Sequence, residues 1–233
     1  MGQMLDRFRV EHPQYREDRL TYAGRLDPLA EGLVILLSGD DLHRKNDYVS
    51  LDKDYEVTFI IGCATDTYDA LGIAGDFVPF QVSVEDLRHQ IVNMIGPMQQ
   101  AYPPYSSKVV DGKSLWQWAR EGIEVDSPQH DIEIKEATLI EYSSIAVRDV
   151  LSDIESAIDL VSGDFRQEEV LMPWRQTLSA LSADTQIPLC RAQFTVSSGT
   201  YVRGLIHDLG QSLGPGATCL TITRTRVGQY IDK

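Results

Sequence analysis

The amino-acid sequence predicts a mixed α/β domain of the α+β class, with a central, mostly antiparallel mixed sheet flanked by helices. Strand-like segments rich in β-branched and aromatic residues alternate with helix-like segments, but without the regular spacing of βαβ units. The chain has 233 residues, of which 42% are hydrophobic, so it can bury a sizeable core. The chain is long enough for one large domain or two small ones, and no fixed-period repeat or low-complexity tract divides it.

The first half of the chain contains four predicted elements. Apolar residues recur at helical spacing over residues 3–12, which predicts a short amphipathic helix. The continuous apolar run at 31–38 predicts a buried strand, and the β-branched and aromatic segment 55–62 predicts another. Ser83 is a typical N-cap residue before an acidic first turn, and the helix that follows is expected to end at Gly96.

The second half continues the alternation of helices and strands. Ser152 and Glu155 form a capping-box pattern, which predicts a helix that runs to Val161. The other predicted elements are a short helix at 114–122, one or two strands at 132–147, a strand at 189–196, a helix at 200–213 and a final strand at 219–230.

The charge of the chain is acidic and unevenly distributed. The formal net charge is -14, whereas a protein that binds nucleic acid usually carries an excess of Lys and Arg. Residues 121–184 contain 15 Asp and Glu against 4 Lys and Arg, and the remainder contains 20 against 17. A nearly neutral body can therefore form a basic cleft, while the acidic stretch at 149–184 is expected to lie at the periphery.

Several classes of protein are excluded by simple sequence criteria. No apolar run approaches the roughly 18 residues of a membrane span, and the charged N-terminal segment broken by Pro13 is not a secretory signal, so we expect a cytoplasmic protein. Cys63, Cys190 and Cys219 lack metal-ligand spacing and are interpreted as small buried residues. Residues 66–72 lack the EF-hand pattern, and no phosphate-binding glycine motif is present.

The segment GRLDPLAEG at residues 24–32 is the first motif that can carry chemistry. Asp27 precedes a proline, which biases the aspartate away from helical conformation and places its carboxylate on a stiff loop. Taken alone, Asp27 and Pro28 are more often a turn, because Asp-Pro is a common turn opener.

Four further motifs follow along the chain. Tyr55 opens the strand DYEVTFIIG, and Lys108 lies in PPYSSKVVDGKSL, a segment suited to contact a nucleic-acid backbone. Tyr201 and Arg203 lie near the start of the helix in SSGTYVRGLIHDLG, and Arg224 lies in the basic terminal segment ITRTRVGQY.

In this order and at this spacing, the five motifs resemble the TruB family of tRNA pseudouridine-55 synthases, which includes the dyskerin-type enzymes of guide-RNA particles. The resemblance extends over about residues 20–230, with a poorly matched segment at 143–188. It implies that residues 1–233 form a single domain with the pseudouridine synthase fold, with a catalytic cleft for a flipped-out uridine. It also implies conversion of uridine to pseudouridine in the T loop of tRNA by a monomer that needs no metal or other cofactor.

The resemblance also implies roles for individual residues. The family motifs imply a catalytic carboxylate at Asp27 and an arginine at Arg203 that pairs with it. They imply a base-stacking tyrosine at Tyr55 that could also move the C5 proton. They also imply a second pocket tyrosine at Tyr201 and an apolar pocket residue at Ile222. Lys108 and Arg224 are expected to bind the RNA substrate.

Three departures from the family pattern affect RNA binding. Tyr22 stands where the family has a histidine that contacts RNA, and we expect it in the substrate site with an altered role. We also expect the protein to lack the family's N-terminal Lys-Pro-x-Gly segment and its C-terminal RNA-binding PUA domain.

A non-catalytic RNA-binding or tRNA-folding protein that keeps the fold is the alternative. In that case Tyr55 and Tyr201 are ordinary core aromatics, and Arg203 is a solvated helix charge. The presence of Asp27 together with Tyr55 and Arg203 favours the enzyme, because a pure binder does not need an aspartate in an RNA cleft.

The acidic total and the expected lack of a PUA domain predict weak RNA affinity, because few phosphate contacts remain. Binding of unmodified tRNA across a series of salt concentrations measures this. A dependence of log K on log salt as steep as that of a protein with many phosphate contacts would contradict the prediction.

Overall fold

The computed structural model describes residues 2–231, and positions 1, 232 and 233 of the predicted domain lie outside the described residues. The helices are α1 Gly2–Glu11, α2 Lys45–Val49, α3 Val84–Val92, α4 Leu115–Arg120, α5 Val147–Asp159, α6 Gln167–Ser179 and α7 Val202–Leu213, with 3₁₀ turns at Pro13–Tyr15 and Gly39–Arg44. The strands are β1 Thr21–Ala23, β2 Ala30–Gly32, β3 Ile35–Leu37, β4 Lys53–Ile61, β5 Gly96–Ala101, β6 Val109–Val110, β7 Lys113–Ser114, β8 Gln129–Ala146, β9 Gln186–Val196, β10 Ala217–Val227 and β11 Tyr230–Ile231.

A seven-stranded sheet forms the centre of the molecule. Its strands follow the order β11-β10-β4-β9-β8-β5, and β2 also pairs with β10. The pairing of β2 with β10 is parallel, and the other pairings in this sheet are antiparallel. The predicted mixed and mostly antiparallel sheet is therefore confirmed.

Helices cover both faces of this sheet. On one face, α3 and α7 pack over the middle strands, and alternate side chains such as Val57, Phe59 and Phe194 are buried beneath them. On the other face, α5 and α6 pack against one end of the sheet around Ile60 and Trp174. This arrangement follows from the period of two in a strand, which sends successive side chains to opposite faces.

The single buried strand predicted at 31–38 is wrong. The segment forms two short strands, β2 and β3, which belong to different sheets because β3 pairs only with β1. Gly32 separates them with a φ of +98°, and its backbone lies directly against the backbone of Arg224. A glycine at this point permits the close approach that lets β2 join the edge of β10.

The predicted boundaries in the second half of the chain also change. The helix predicted from the capping box begins earlier, at Val147, so Ser152 lies inside α5. Val147 and Val150 continue the buried stripe of this helix, and their burial outweighs the local cap signal. The helix from Ser83 ends at Val92, and Gly96 begins β5, a strand that the sequence analysis did not predict.

The acidic stretch at 149–184 is largely helical and packs against one end of the sheet. It holds most of α5 and all of α6, whose Trp174 and Ile158 are fully buried. The acidic side chains occupy the outer faces of these helices, and the apolar ones face the sheet. Composition alone therefore hid an amphipathic pattern.

The three cysteines are buried, as interpreted from the sequence. Cys63, Cys190 and Cys219 are free thiols, and burial raises the pKa of the first two to about 12. Within residues 2–231, no helix has the length and apolar character needed to cross a membrane.

Gly32→Ala is expected to lower the free energy of unfolding by about 3 kcal/mol, because it combines backbone strain with a steric clash. A Cβ atom at this position would lie 2.3 Å from the carbonyl oxygen of Arg224. Gly214→Ala is the matched control, since Gly214 has a similar φ of +107° but open space around it, and about 1–2 kcal/mol is expected there. Equal losses in urea unfolding would contradict the clash.

Candidate active site

A cleft of about 1500 Å³ opens beside the ends of β4 and β10. Seven of the eight site residues predicted from the sequence line it, namely Tyr22, Asp27, Tyr55, Tyr201, Arg203, Ile222 and Arg224. Lys108 does not line it; its Nζ lies 4.8 Å from the ring centroid of Tyr102, which does. Lys108 is therefore one residue removed from the cleft wall.

Asp27 and Arg203 form an ion pair inside the cleft. Nε of Arg203 donates to Oδ2 of Asp27 over 2.8 Å. The side chain of Asp27 is 33% exposed, whereas that of Arg203 is 3% exposed. The carboxylate thus faces the open space of the cleft and is held from behind by a buried cation.

The guanidinium of Arg203 is held by two main-chain carbonyls as well. Nη1 donates to the oxygen of Thr67 over 2.5 Å, and Nη2 donates to the oxygen of Tyr105 over 2.9 Å. Burial lowers the pKa of Arg203, but the negative charges of Asp27 and Asp69 outweigh that effect and raise it. Three hydrogen bonds from one planar group fix the direction of the bond to Asp27.

Asp69 lies behind the ion pair as a second, buried carboxylate. Its Oδ2 is 4.0 Å from Nε of Arg203, and its Oδ1 accepts bonds from the Thr67 hydroxyl and the Leu71 amide. Burial is the main cause that raises the pKa of Asp69 to about 6, and the charge of Asp27 adds to it. The sequence analysis considered Asp69 only within residues 66–72, which lack the EF-hand pattern, because the link of Asp69 to Arg203 is not visible in the sequence.

Tyr55 and Arg224 face each other across β4 and β10. Tyr55 is buried, and burial raises the pKa of its phenol, while the charge of Arg224 opposes that rise. The Arg224 residue is only 1% exposed, and its guanidinium donates to the main-chain oxygens of Leu33 and Gly24. The geometry therefore does not support the predicted direct RNA contact by Arg224, which instead joins both ends of the loop that carries Asp27.

Tyr201 is fixed by a side chain that the sequence analysis missed. Gln100 is buried, and its amide accepts a bond from the Tyr201 N–H and donates one to the Tyr201 carbonyl. The ring of Tyr201 lies edge-on to Tyr102 and 5.7 Å from the Arg203 guanidinium carbon. No sequence signal marks Gln100, because a glutamine on an edge strand is an ordinary solvent-facing residue.

The remaining predicted residues occupy the cleft wall. Ile222 is buried in β10, between Ala30 of β2 and Val57 of β4. Tyr22 is half-buried in β1, and the Lys45 ammonium lies 5.4 Å from its ring centroid. Tyr22 thus presents an aromatic ring with a cation above it at the cleft wall.

Lys53 is a further cleft residue that the sequence analysis missed. The pKa of Lys53 is lowered to about 8, mainly by burial and to a smaller extent by repulsion from the charge of Arg224. Its Nζ donates to the carbonyls of Val49 and Leu51. The ammonium is thus bound to the main chain beneath the cleft, where its charge adds to that of Arg224.

The central mixed sheet with this cleft defines the class, which is the pseudouridine synthase fold. A solved Cbf5–Nop10–Gar1 complex superimposes with a TM-score of 0.55 and 14% identity, over 96% of this chain and 45% of that chain. The structure of an H/ACA RNP bound to a substrate RNA containing 2′-deoxyuridine superimposes with a TM-score of 0.53 and 13% identity. This match covers 100% of this chain and 45% of that chain. At these identities the likeness concerns the fold, and the predicted fold is confirmed.

The chain belongs to the TruB family of pseudouridylate synthases, whose N-terminal domain model matches residues 13–159. It is 32% identical over 214 residues to tRNA pseudouridine synthase B of Fusobacterium nucleatum, covering 91% of this chain and 59% of the relative. The chain is also 30% identical over 213 residues to tRNA pseudouridine synthase B of Opitutus terrae, covering 91% of this chain and 70% of that relative. The chain spans 54% of the length of the Ralstonia nicotianae relative, which is 30% identical over 89% of this chain.

Asp69→Asn is expected to change how stability depends on pH. The pKa of Asp69 rises from 3.8 to about 6 on folding, so the folded protein binds this proton more tightly than the unfolded chain does. Stability from this group is fully present below about pH 4 and is lost as the pH rises to about 6. Relative to the variant, wild type should lose about 3 kcal/mol across this window, measured by urea unfolding.

The exposed Asp153→Asn is the control for this experiment, because removing a solvated carboxylate should leave the pH dependence unchanged. A stability difference between wild type and Asp69→Asn that is flat from about pH 4 to about pH 7 would contradict the buried ionisation.

Proposed function

We propose that this chain converts uridine to pseudouridine at position 55 in the T loop of tRNA, with Asp27 as the catalytic carboxylate. The observation that carries the proposal is the geometry of Asp27, which faces a cleft while Arg203 holds it at 2.8 Å from behind. Membership in the TruB family and the relatives called tRNA pseudouridine synthase B support the reaction and the substrate class.

The chemistry explains why a carboxylate is placed there. Isomerisation breaks the bond between N1 of the uracil and C1′ of the ribose, rotates the base and forms a bond from C5 to C1′. The carboxylate either attacks C1′ or removes a proton from the sugar, and both steps require it to be ionised. Arg203 is a permanent positive charge that stabilises the negative charge on Asp27 in a partly dry cleft. The reaction involves no net oxidation or hydrolysis.

The two tyrosines supply the surface that receives the target base. An everted uridine loses its stacking, at a cost of a few kcal/mol, and an unstacked loop base loses least. Tyr55 and Tyr201 line the same cleft as the ion pair and can restore stacking. Burial raises the pKa of the Tyr55 phenol. Tyr55 is proposed as the stacking partner of the base and as the group that moves the C5 proton.

The buried cations of the cleft are not available to bind the RNA backbone. Arg203, Arg224 and Lys53 are buried and bonded to protein oxygens, so they add positive potential but few free donors. Substrate contact is proposed to depend on stacking against the tyrosines and on the shape of the T arm. Monomeric action and a cytoplasmic location are parts of the same proposal.

Asp27→Asn is expected to reduce pseudouridine formation in unmodified tRNA by about 10³-fold or more, because the amide can neither attack C1′ nor accept a proton. Tyr55, Tyr201 and the fold stay in place, so the affinity for tRNA should change little. Chemical mapping of pseudouridine in single-turnover reactions measures the rate, and filter binding measures the affinity.

Asp153→Asn is the matched control, since it removes an exposed carboxylate on α5 without touching the cleft. If the chain is instead a non-catalytic RNA-binding or tRNA-folding protein, a different result is expected. Wild type and both variants would then bind tRNA and promote tRNA folding equally, and none of them would form pseudouridine. Product at a uridine outside the T loop would retain the reaction but overturn the proposed position.

A further inference from the structure

The connection between β8 and β9 is much longer than the fold requires. Ala146 and Gln186 are directly paired at the end of the two antiparallel strands, so a tight turn could join them. Instead, residues 147–185 form the helical pair α5 and α6. The loop between these helices reaches the cleft, where Leu160, Phe165 and Arg166 are part of its wall.

The helical pair is attached to the loop at 63–77, which carries Asp69. The indole N–H of Trp174 donates to the Ala70 carbonyl over 3.0 Å, and the Thr177 hydroxyl donates to the Gly75 carbonyl over 3.0 Å. Trp174 is also fully buried. The helical pair is therefore part of the packed body, and its cleft-facing loop starts from a fixed base.

Arg166 joins two separate loops at this wall. Its Nη1 lies 3.0 Å from Oδ2 of Asp66, and its guanidinium carbon lies 4.4 Å from the ring centroid of Tyr105. The Arg166 side chain is only 11% exposed. Its φ of +61° is rare for a residue with a side chain, and such a conformation persists where surrounding contacts hold it.

The contacts of Arg166 lie close to those of Arg203. One contact of Arg166, Asp66, is the sequence neighbour of an Arg203 partner, and the other, Tyr105, is itself an Arg203 partner. Asp66 precedes Thr67, whose carbonyl accepts from Nη1 of Arg203, and the Tyr105 carbonyl accepts from Nη2. A movement of either loop would shift an acceptor of Arg203 and so redirect its bond to Asp27. A small displacement of this kind is costly to a reaction that needs a carboxylate in one direction.

We infer that Arg166 is a positioning residue: it clamps the Asp66 and Tyr105 loops together and thereby keeps Arg203 aimed at Asp27. The catalytic consequence rests on the proposed function, whereas the clamp itself is a property of the folded chain. Direct contact of Arg166 with an RNA phosphate is the competing role. The low exposure of its side chain and its ion pair with Asp66 favour the clamp.

The test compares Arg166→Ala, Arg166→Lys and the control Arg175→Ala. Arg175 is an arginine of α6 that is paired with Glu155 on the outer surface and does not line the cleft. Three measurements are made on each full-length variant: the single-turnover rate of pseudouridine formation, the affinity for tRNA at several salt concentrations, and hydrogen exchange of residues 65–72 and 105–108.

The clamp predicts a rate about tenfold lower for Arg166→Ala, because the aim of Arg203 is lost. The affinity should stay within about twofold and the salt dependence should not change, since no phosphate contact is removed. Exchange at 65–72 and 105–108 should become at least about fivefold faster. Arg175→Ala should match wild type throughout. Arg166→Lys keeps the charge but loses the planar stack on Tyr105, so its rate should be intermediate.

Arg166→Ala could instead bind tRNA more weakly, with a slope of log K against log salt that is smaller by about one. This result would show that Arg166 binds an RNA phosphate and would overturn the clamp. Unchanged exchange in Arg166→Ala would also overturn it. If Arg166→Ala does not fold, Arg166→Lys decides the question. Pseudouridine formation by Arg166→Lys at the wild-type rate would overturn the clamp, and a lower rate at unchanged tRNA affinity would support it. If wild type forms no pseudouridine, the proposed function fails, while the exchange comparison still decides on the clamp.

Discussion

The site depends on the burial of one guanidinium. Arg203 carries a permanent charge into the interior, and such a charge is tolerated only where several oxygens surround it. Asp27, Thr67 and Tyr105 supply those oxygens from three different segments of the chain. Because the same bonds that solvate the charge also direct it, the stability of the folded protein and the orientation of the carboxylate have a common origin.

Each side of the ion pair has its own support. On one side, Arg224 binds the carbonyls of Gly24 and Leu33 and ties the loop of Asp27 to β10. On the other side, the loop of Thr67 is held by the helical pair between β8 and β9, through Trp174 and its neighbours. The cleft is therefore preorganised by buried groups in its wall and behind it, as electrostatic preorganisation requires.

The sequence was most informative where a local pattern carries a physical meaning. The strand at Tyr55 and the helix after Ser83 follow from periodicity and capping, and the family motifs are sufficient to single out Asp27 and Arg203. Gln100, Asp69 and Arg166 were missed, because their importance arises from partners that are distant in the sequence. The split at Gly32 was missed because a steric constraint from another strand cannot be read from an apolar run.

The wide separation of the Arg203 partners along the chain has a consequence for how the protein folds. Asp27, Thr67 and Tyr105 precede Arg203 by 176, 136 and 98 positions. Loops of this length must close before the charge gains its ligands, and contacts of such high sequence separation form late in folding. During synthesis, these three segments emerge long before Arg203, so the ion pair with Asp27 can form only after residue 203 has left the ribosome.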